Sequence, residues 1–145
     1  MANVHDAAAY ILAKSGCITA MKLEKLTYYS QAWSLVWDEA PLFDEPIQAW
    51  VNGPVCPALY AAHKGMFDVS AWPKGNADAL TKEQRDTVDS VLHFYGEKTS
   101  QWLSDLTHSE RPWIDARCGL APGERGQNEI SHDSMSEYYG SLPKN

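Results

Sequence analysis

Apolar residues crowd the stretch from Met21 to Trp37 so densely that only a thread of polar positions interrupts them. Glu24, Thr27, Gln31, Ser34 and Asp38 recur at spacings of three and four, which on a helix sets them along one narrow stripe. Met21, Leu23, Leu26, Tyr28, Tyr29, Ala32, Trp33, Leu35, Val36 and Trp37 fill the remaining circumference, far wider than the apolar stripe of a surface helix. The pattern predicts a central helix from about residue 20 to 38. Thr19 is placed to cap its start, and Pro41, which disfavours helical backbone at the residue before it, ends it near Asp38 to Ala40. If Trp33 and Leu26 are buried there, truncation to alanine costs roughly 3–5 and 2–5 kcal/mol.

Other segments predict helices packed around this one. Val4, Ala7, Ala8, Ile11 and Leu12 repeat at helical spacing up to Ser15-Gly16, where glycine can take a positive φ. Ile47 to Val51 reads as a short strand followed by a turn at Asn52-Gly53. Since Pro54 cannot donate to a strand ladder, a new helix is expected next, with Pro54 or Pro57 in its first turn and Leu59, Tyr60 and His63 before Gly65 stops it. Residues 66–80 read as a connecting loop. Thr81 and Gln84 have capping-box spacing, and Val88, Val91, Leu92 and Tyr95 mark a buried face beyond them. A further helix carries Trp102, Leu103 and Leu106 and closes between His108 and Arg111, before Pro112. A loop over residues 121–126 precedes a last short helix with Ser131 as N-cap and Met135, Tyr138 and Tyr139 inward. The expected fold class is mainly α, α+β at the margin: one compact domain over residues 1–145, built on a central buried helix with a small β-hairpin-like element.

Six Trp and seven Tyr are the departure in an otherwise ordinary composition. Most should be core, but the same residues anchor protein interfaces. A net charge of −7, with no basic cluster, argues against phosphate-backbone binding; it serves solubility first and also suits a basic protein partner. The first residues lack a basic start before an apolar run, and no stretch approaches a membrane span, so a cytoplasmic chain is expected, with Cys17, Cys56 and Cys118 as free thiols.

Candidate chemistry is sparse. Thr107-His108-Ser109-Glu110 and Ser131-His132-Asp133 hold triad residue types, but neighbours in sequence seldom meet in triad geometry, so a helix end and an N-cap are the better readings. Glu110 with Arg117, and Arg111 with a nearby carboxylate, are expected to pair and fix the bend at Pro112-Trp113. The five histidines show no helical zinc spacing, and a set drawn from distant residues such as His63, Cys56 and Glu45 is disfavoured. No catalytic residue, cofactor or metal is expected.

Lys22-Leu23-Glu24-Lys25-Leu26, Tyr28 to Trp33, Pro41-Leu42-Phe43, Ile47 to Trp50, Gly53-Pro54-Val55 and Leu59-Tyr60 together resemble the Panacea domain. Leu106 to Glu110, Pro112-Trp113, Ala116-Arg117, Ile130 and Tyr138-Tyr139 extend the likeness over most of residues 5–140. The resemblance implies a non-enzymatic bacterial or prophage antitoxin that neutralises a cognate toxin by direct contact, the toxin being encoded next door. It does not identify the toxin, nor separate blocking from delivery to a protease. A rigid turn flanked by aromatics makes Trp50, Asn52, Gly53, Pro54, Tyr60, His63 and Trp113 the candidate partner surface, against the equal reading that Gly53-Pro54 only turns the chain and Trp50 fills the core. The competing class is a phage or bacterial regulator that contacts DNA or another protein, with Lys14, Lys22 and Lys25 as its best support on DNA.

Overall fold

The computed structural model describes residues 2–121 and 123–143. Its helices are α1 (Val4–Ser15), α2 (Ala20–Trp37), α3 (Pro57–His63), α4 (Lys82–Tyr95), α5 (Ser100–His108), α6 (Arg111–Ala116) and α7 (His132–Gly140). Four short strands accompany them: β1 (Ile18–Thr19), β2 (Gln48–Trp50), β3 (Gly53–Val55) and β4 (Asp68–Val69). The protein is mainly α, as its periodicity predicts. Pro122, in the predicted 121–126 loop, lies outside the described residues.

Helix α2 is the axle, with α1, α4, α5 and α7 and strand β3 packed on it. Caps fall where the sequence places them. The Thr19 side chain accepts from the Lys22 N–H, Ser131 from Ser134, and Thr81 with Gln84 forms a reciprocal capping box. Asn3 and Asp6 form a second box at α1, which the sequence reading did not contain.

The polar stripe of α2 lies inside up to Ser34, and only Asp38 at its end is exposed. Glu24, Thr27, Gln31 and Ser34 are all buried, and Trp37, counted among the apolar majority, is 50% exposed. Trp33 is half-buried rather than enclosed, so it offers less packing energy than Leu26, which is fully buried. The burial of the stripe follows from what surrounds it: irregular chain with free backbone groups. Gln31 Oε1 accepts from the Leu42 N–H (2.7 Å) and the Phe43 N–H (3.3 Å), and its Nε2 donates to the Phe43 carbonyl (2.8 Å). One amide thus satisfies buried backbone that no sheet reaches.

Strands β2 and β3 form a hairpin with Trp50 opposite Gly53, Ala49 opposite Pro54 and Gln48 opposite Val55. Pro54 therefore sits in a strand and not in the first turn of the next helix; Pro57 holds that place. Its missing N–H costs nothing because the Ala49–Pro54 pair lies between hydrogen-bonded pairs, so its backbone groups point outward. Accordingly the Ala49 N–H donates to the Asn128 carbonyl at 2.8 Å. The turn is centred on Val51 and Asn52, one residue before Asn52-Gly53, and Gly53 supplies the positive φ of 118°. The expected 66–80 loop holds β4, paired antiparallel with β1, and a 3-10 turn at Ala77–Ala79.

Candidate functional site

The candidate partner residues gather on and under the hairpin. Trp50 meets Tyr60 edge-on (5.0 Å between ring centroids), Tyr60 meets His63 (5.2 Å), and the Trp113 indole donates to the Trp50 carbonyl at 2.8 Å. Gly53, Pro54, His63 and Trp113 are buried, Trp50 and Tyr60 half-buried, and Asn52 alone is exposed. Trp50 and Asn52 of the hairpin and Tyr60 of α3 thus form a rim on a buried support. Two α5 side chains hold its turn: the Ser104 hydroxyl donates to the Asn52 carbonyl (3.0 Å), and His108 Nε2 lies 2.8 Å from the Val51 carbonyl.

Beneath the hairpin runs a seam of buried ionisable groups from α2. Glu24 Oε1 accepts from the Cys56 N–H at 2.9 Å, and its Oε2 lies 2.7 Å from His63 Nε2. Burial pushes the neighbouring Cys56 thiol up to about 12. Lys25 is 1% exposed, and its ammonium donates to the Pro54 carbonyl at 3.1 Å. Loss of water lowers its pKa to about 8, the Glu24 charge opposing in part. Gly53 is tied to this lysine: a Cβ there would stand 2.7 Å from Lys25 Cε and 3.0 Å from Thr107 Oγ1.

A second buried cluster surrounds Glu110, whose Oε1 accepts from the hydroxyls of Tyr29 (2.8 Å) and Tyr139 (2.7 Å). Burial raises its pKa, and the two hydroxyls oppose that rise. Burial likewise raises the phenols of Tyr28, Tyr29 and Tyr139. The expected Glu110–Arg117 pair does not form. The Arg117 guanidinium instead donates to the carbonyls of Ala49, Ala121 and Glu124 and lies over the Trp113 ring, tying α6 to the hairpin and the following loop. Tyr29 of α2 and Tyr139 of α7 take the carboxylate instead, which spacing along α5 and α6 could not reveal. Arg111 does find a carboxylate, Asp115 one turn on, at the surface.

Neither triad-like run assembles. Both His108 nitrogens face carbonyls, Ser104 and Val51, and Glu110 points into the tyrosines. The lysine trio is dispersed as well: Lys25 is buried, Lys22 donates to the Gly96 carbonyl at 2.6 Å, and Lys14 lies over the Tyr10 ring. Burial of Lys25 and capture of Lys22 remove the basic patch on which a DNA contact would rest. A pocket of about 280 Å³ opens between Gln31, Glu45, His132 and Met135, its buried amide already spent on Leu42 and Phe43. Among the described residues no His/Cys/Asp/Glu group has metal-binding geometry, and no helix is long and apolar enough to cross a membrane.

Fold and site define a mainly helical protein whose hairpin rim is fixed from below by buried Glu24, Lys25, His63, Trp113 and Arg117. Residues 23–114 match the family model described as antitoxin SocA-like, Panacea domain, and the chain belongs to that family. The matched span runs from the first turns of α2 through the hairpin to Ile114, so it takes in every candidate partner residue. No curated protein and no solved structure matches the chain.

Proposed function

We propose that this protein is an antitoxin that neutralises a protein toxin by direct binding and carries out no catalysis of its own. The observation behind the reading is the family match over residues 23–114, which spans the elements that build and hold the hairpin. The chemistry of the site agrees with it. Glu24, His63, Lys25, His108 and Glu110 each bond to an internal partner, while Trp50 and Tyr60 stay half-buried at the rim. A preordered rim of this kind contacts a partner at small entropic cost. Trp50 and Asn52 of the hairpin and Tyr60 of α3 are the candidate residues able to touch the toxin; Gly53, Pro54, His63 and Trp113 hold them in place.

Co-expression of the chain with the product of its adjacent open reading frame tests the reading. The neighbour alone should arrest growth, and this chain should both restore growth and co-purify with it. A harmless neighbour that fails to co-purify refutes the proposal.

A further inference from the structure

A second group of exposed aromatic side chains lies where the C-terminal end of α2 meets α4 and α7. Trp37 is 50% exposed and stacks on half-buried Trp33 with 4.8 Å between centroids. The Trp33 indole donates to the Tyr95 hydroxyl at 3.1 Å, and Phe94, 61% exposed, packs edge-on against Tyr95 at 4.7 Å. Half-buried Tyr138 packs in turn on Tyr139, which touches Trp33. Three helices thus carry one linked aromatic cluster with Trp37 and Phe94 outermost, the side-chain types that anchor interfaces.

Charge says what kind of surface would cover it. Asp38 and Glu39 follow Trp37 directly, Glu97 lies three residues beyond Phe94, Glu137 precedes Tyr138, and all four are exposed. Of the lysines near Glu97, Lys98 is held over the Trp102 ring at 4.7 Å and Lys22 donates to the Gly96 carbonyl. A second copy docking through the same face would set these carboxylates against themselves, and nucleic acid is repelled by their sign. Resting on the antitoxin reading, we propose that this face is a second docking surface for the protein partner, beside the hairpin rim, and that it takes a segment with large apolar side chains flanked by Lys or Arg.

The full-length chain is titrated with the neighbouring gene's product as wild type, as Trp37→Ala/Phe94→Ala, as Glu39→Lys/Glu137→Lys, and as Phe67→Ala. Phe67 is 79% exposed but sits by Ala20, at the opposite end of α2, and serves as the control. The aromatic pair should weaken binding about tenfold or more. Charge reversal should slow association and flatten its salt dependence, and Phe67→Ala should change nothing. Thermal melts guard against misfolding, which the exposure of both aromatics makes a minor effect.

A second titration uses a synthetic helical peptide with Leu and Phe on one face and Lys on its flanks, beside a Glu-flanked counterpart. Tight binding of the Lys-flanked peptide alone, lost in Trp37→Ala/Phe94→Ala, supports the face even if the neighbour's product does not bind, an outcome that would sink the antitoxin reading and not this one. The face is overturned if the aromatic variants bind either probe like wild type, if both peptides bind alike, or if neither probe binds.

Discussion

Replacing Lys25 by methionine should abolish a specific part of the pH dependence of stability. The side chain is enclosed, with one carbonyl facing an ammonium that carries three donors. Its pKa falls from 10.5 in the unfolded chain to about 8 in the folded one. At about 1.4 kcal/mol per pKa unit, the buried charge costs roughly 3 kcal/mol at pH 7. Between the two values the unfolded state holds the proton more often than the folded state, so stability rises with pH there. The penalty is complete below about 8 and gone above 10.5. From pH 7 to pH 10 the wild type should therefore gain about 2–3 kcal/mol relative to Lys25→Met. The buried tyrosines, whose phenols are raised, oppose this trend as pH passes 10, but they do so in both proteins and cancel in the difference. Methionine leaves the Pro54 carbonyl without its donor, a constant offset of about 1–3 kcal/mol that does not depend on pH. Urea unfolding followed by tryptophan fluorescence at pH 7, 8, 9 and 10 measures both proteins. Parallel curves, with a difference constant to about 0.5 kcal/mol, would refute the argument that a charged lysine lies buried under the hairpin.

Gly53→Ala should destabilise by about 1–3 kcal/mol, because alanine resists a φ of 118° and its Cβ would meet Lys25 Cε. Combined with Lys25→Ala, which clears that space, the glycine substitution should cost less, as a double-mutant cycle in urea would report; strict additivity would exclude the contact. Glu110→Ala should cost about 2–5 kcal/mol by leaving the Tyr29 and Tyr139 hydroxyls without an acceptor, whereas Glu110→Gln keeps a carbonyl for them and should cost less. Since burial raises the Glu110 pKa, its contribution is full below the ordinary carboxylate range and declines as pH rises through the folded value, so Glu110→Gln should lose less stability than wild type as pH rises above 4.5. Equal slopes in acid-side unfolding would contradict that.

The helical skeleton was legible because it rests on local signals. Apolar density from Met21 to Trp37, the Thr19 and Ser131 caps and the Thr81–Gln84 box concern residues a few positions apart, and each stands where it was read. What escaped depends on distant partners. Whether Glu24, Lys25 and Gln31 face water or core is decided by Cys56, Pro54 and Phe43, and no periodicity carries that information. Pro54 misled for the same reason: a proline is excluded from a ladder only at a hydrogen-bonded position, and position depends on register. The structure brings the candidate residues together, but Gly53, Pro54, His63 and Trp113 are buried, because aromatic and glycine content marks rim and core alike.

The buried polar side of α2 bears on how the chain reaches its native form. Phe43, Pro54, Cys56 and His63, which receive or supply its bonds, all follow α2 in the sequence. During vectorial synthesis the helix is finished before any of these partners leaves the ribosome. An early collapse that seals Glu24, Lys25 or Gln31 against plain hydrocarbon leaves their charges and amides stranded, which penalises wrong compact states more than a purely apolar helix would. The seam thus acts as a topological proofreader: α2 gives up its water only when the hairpin and the 41–63 segment arrive in the one arrangement that replaces it.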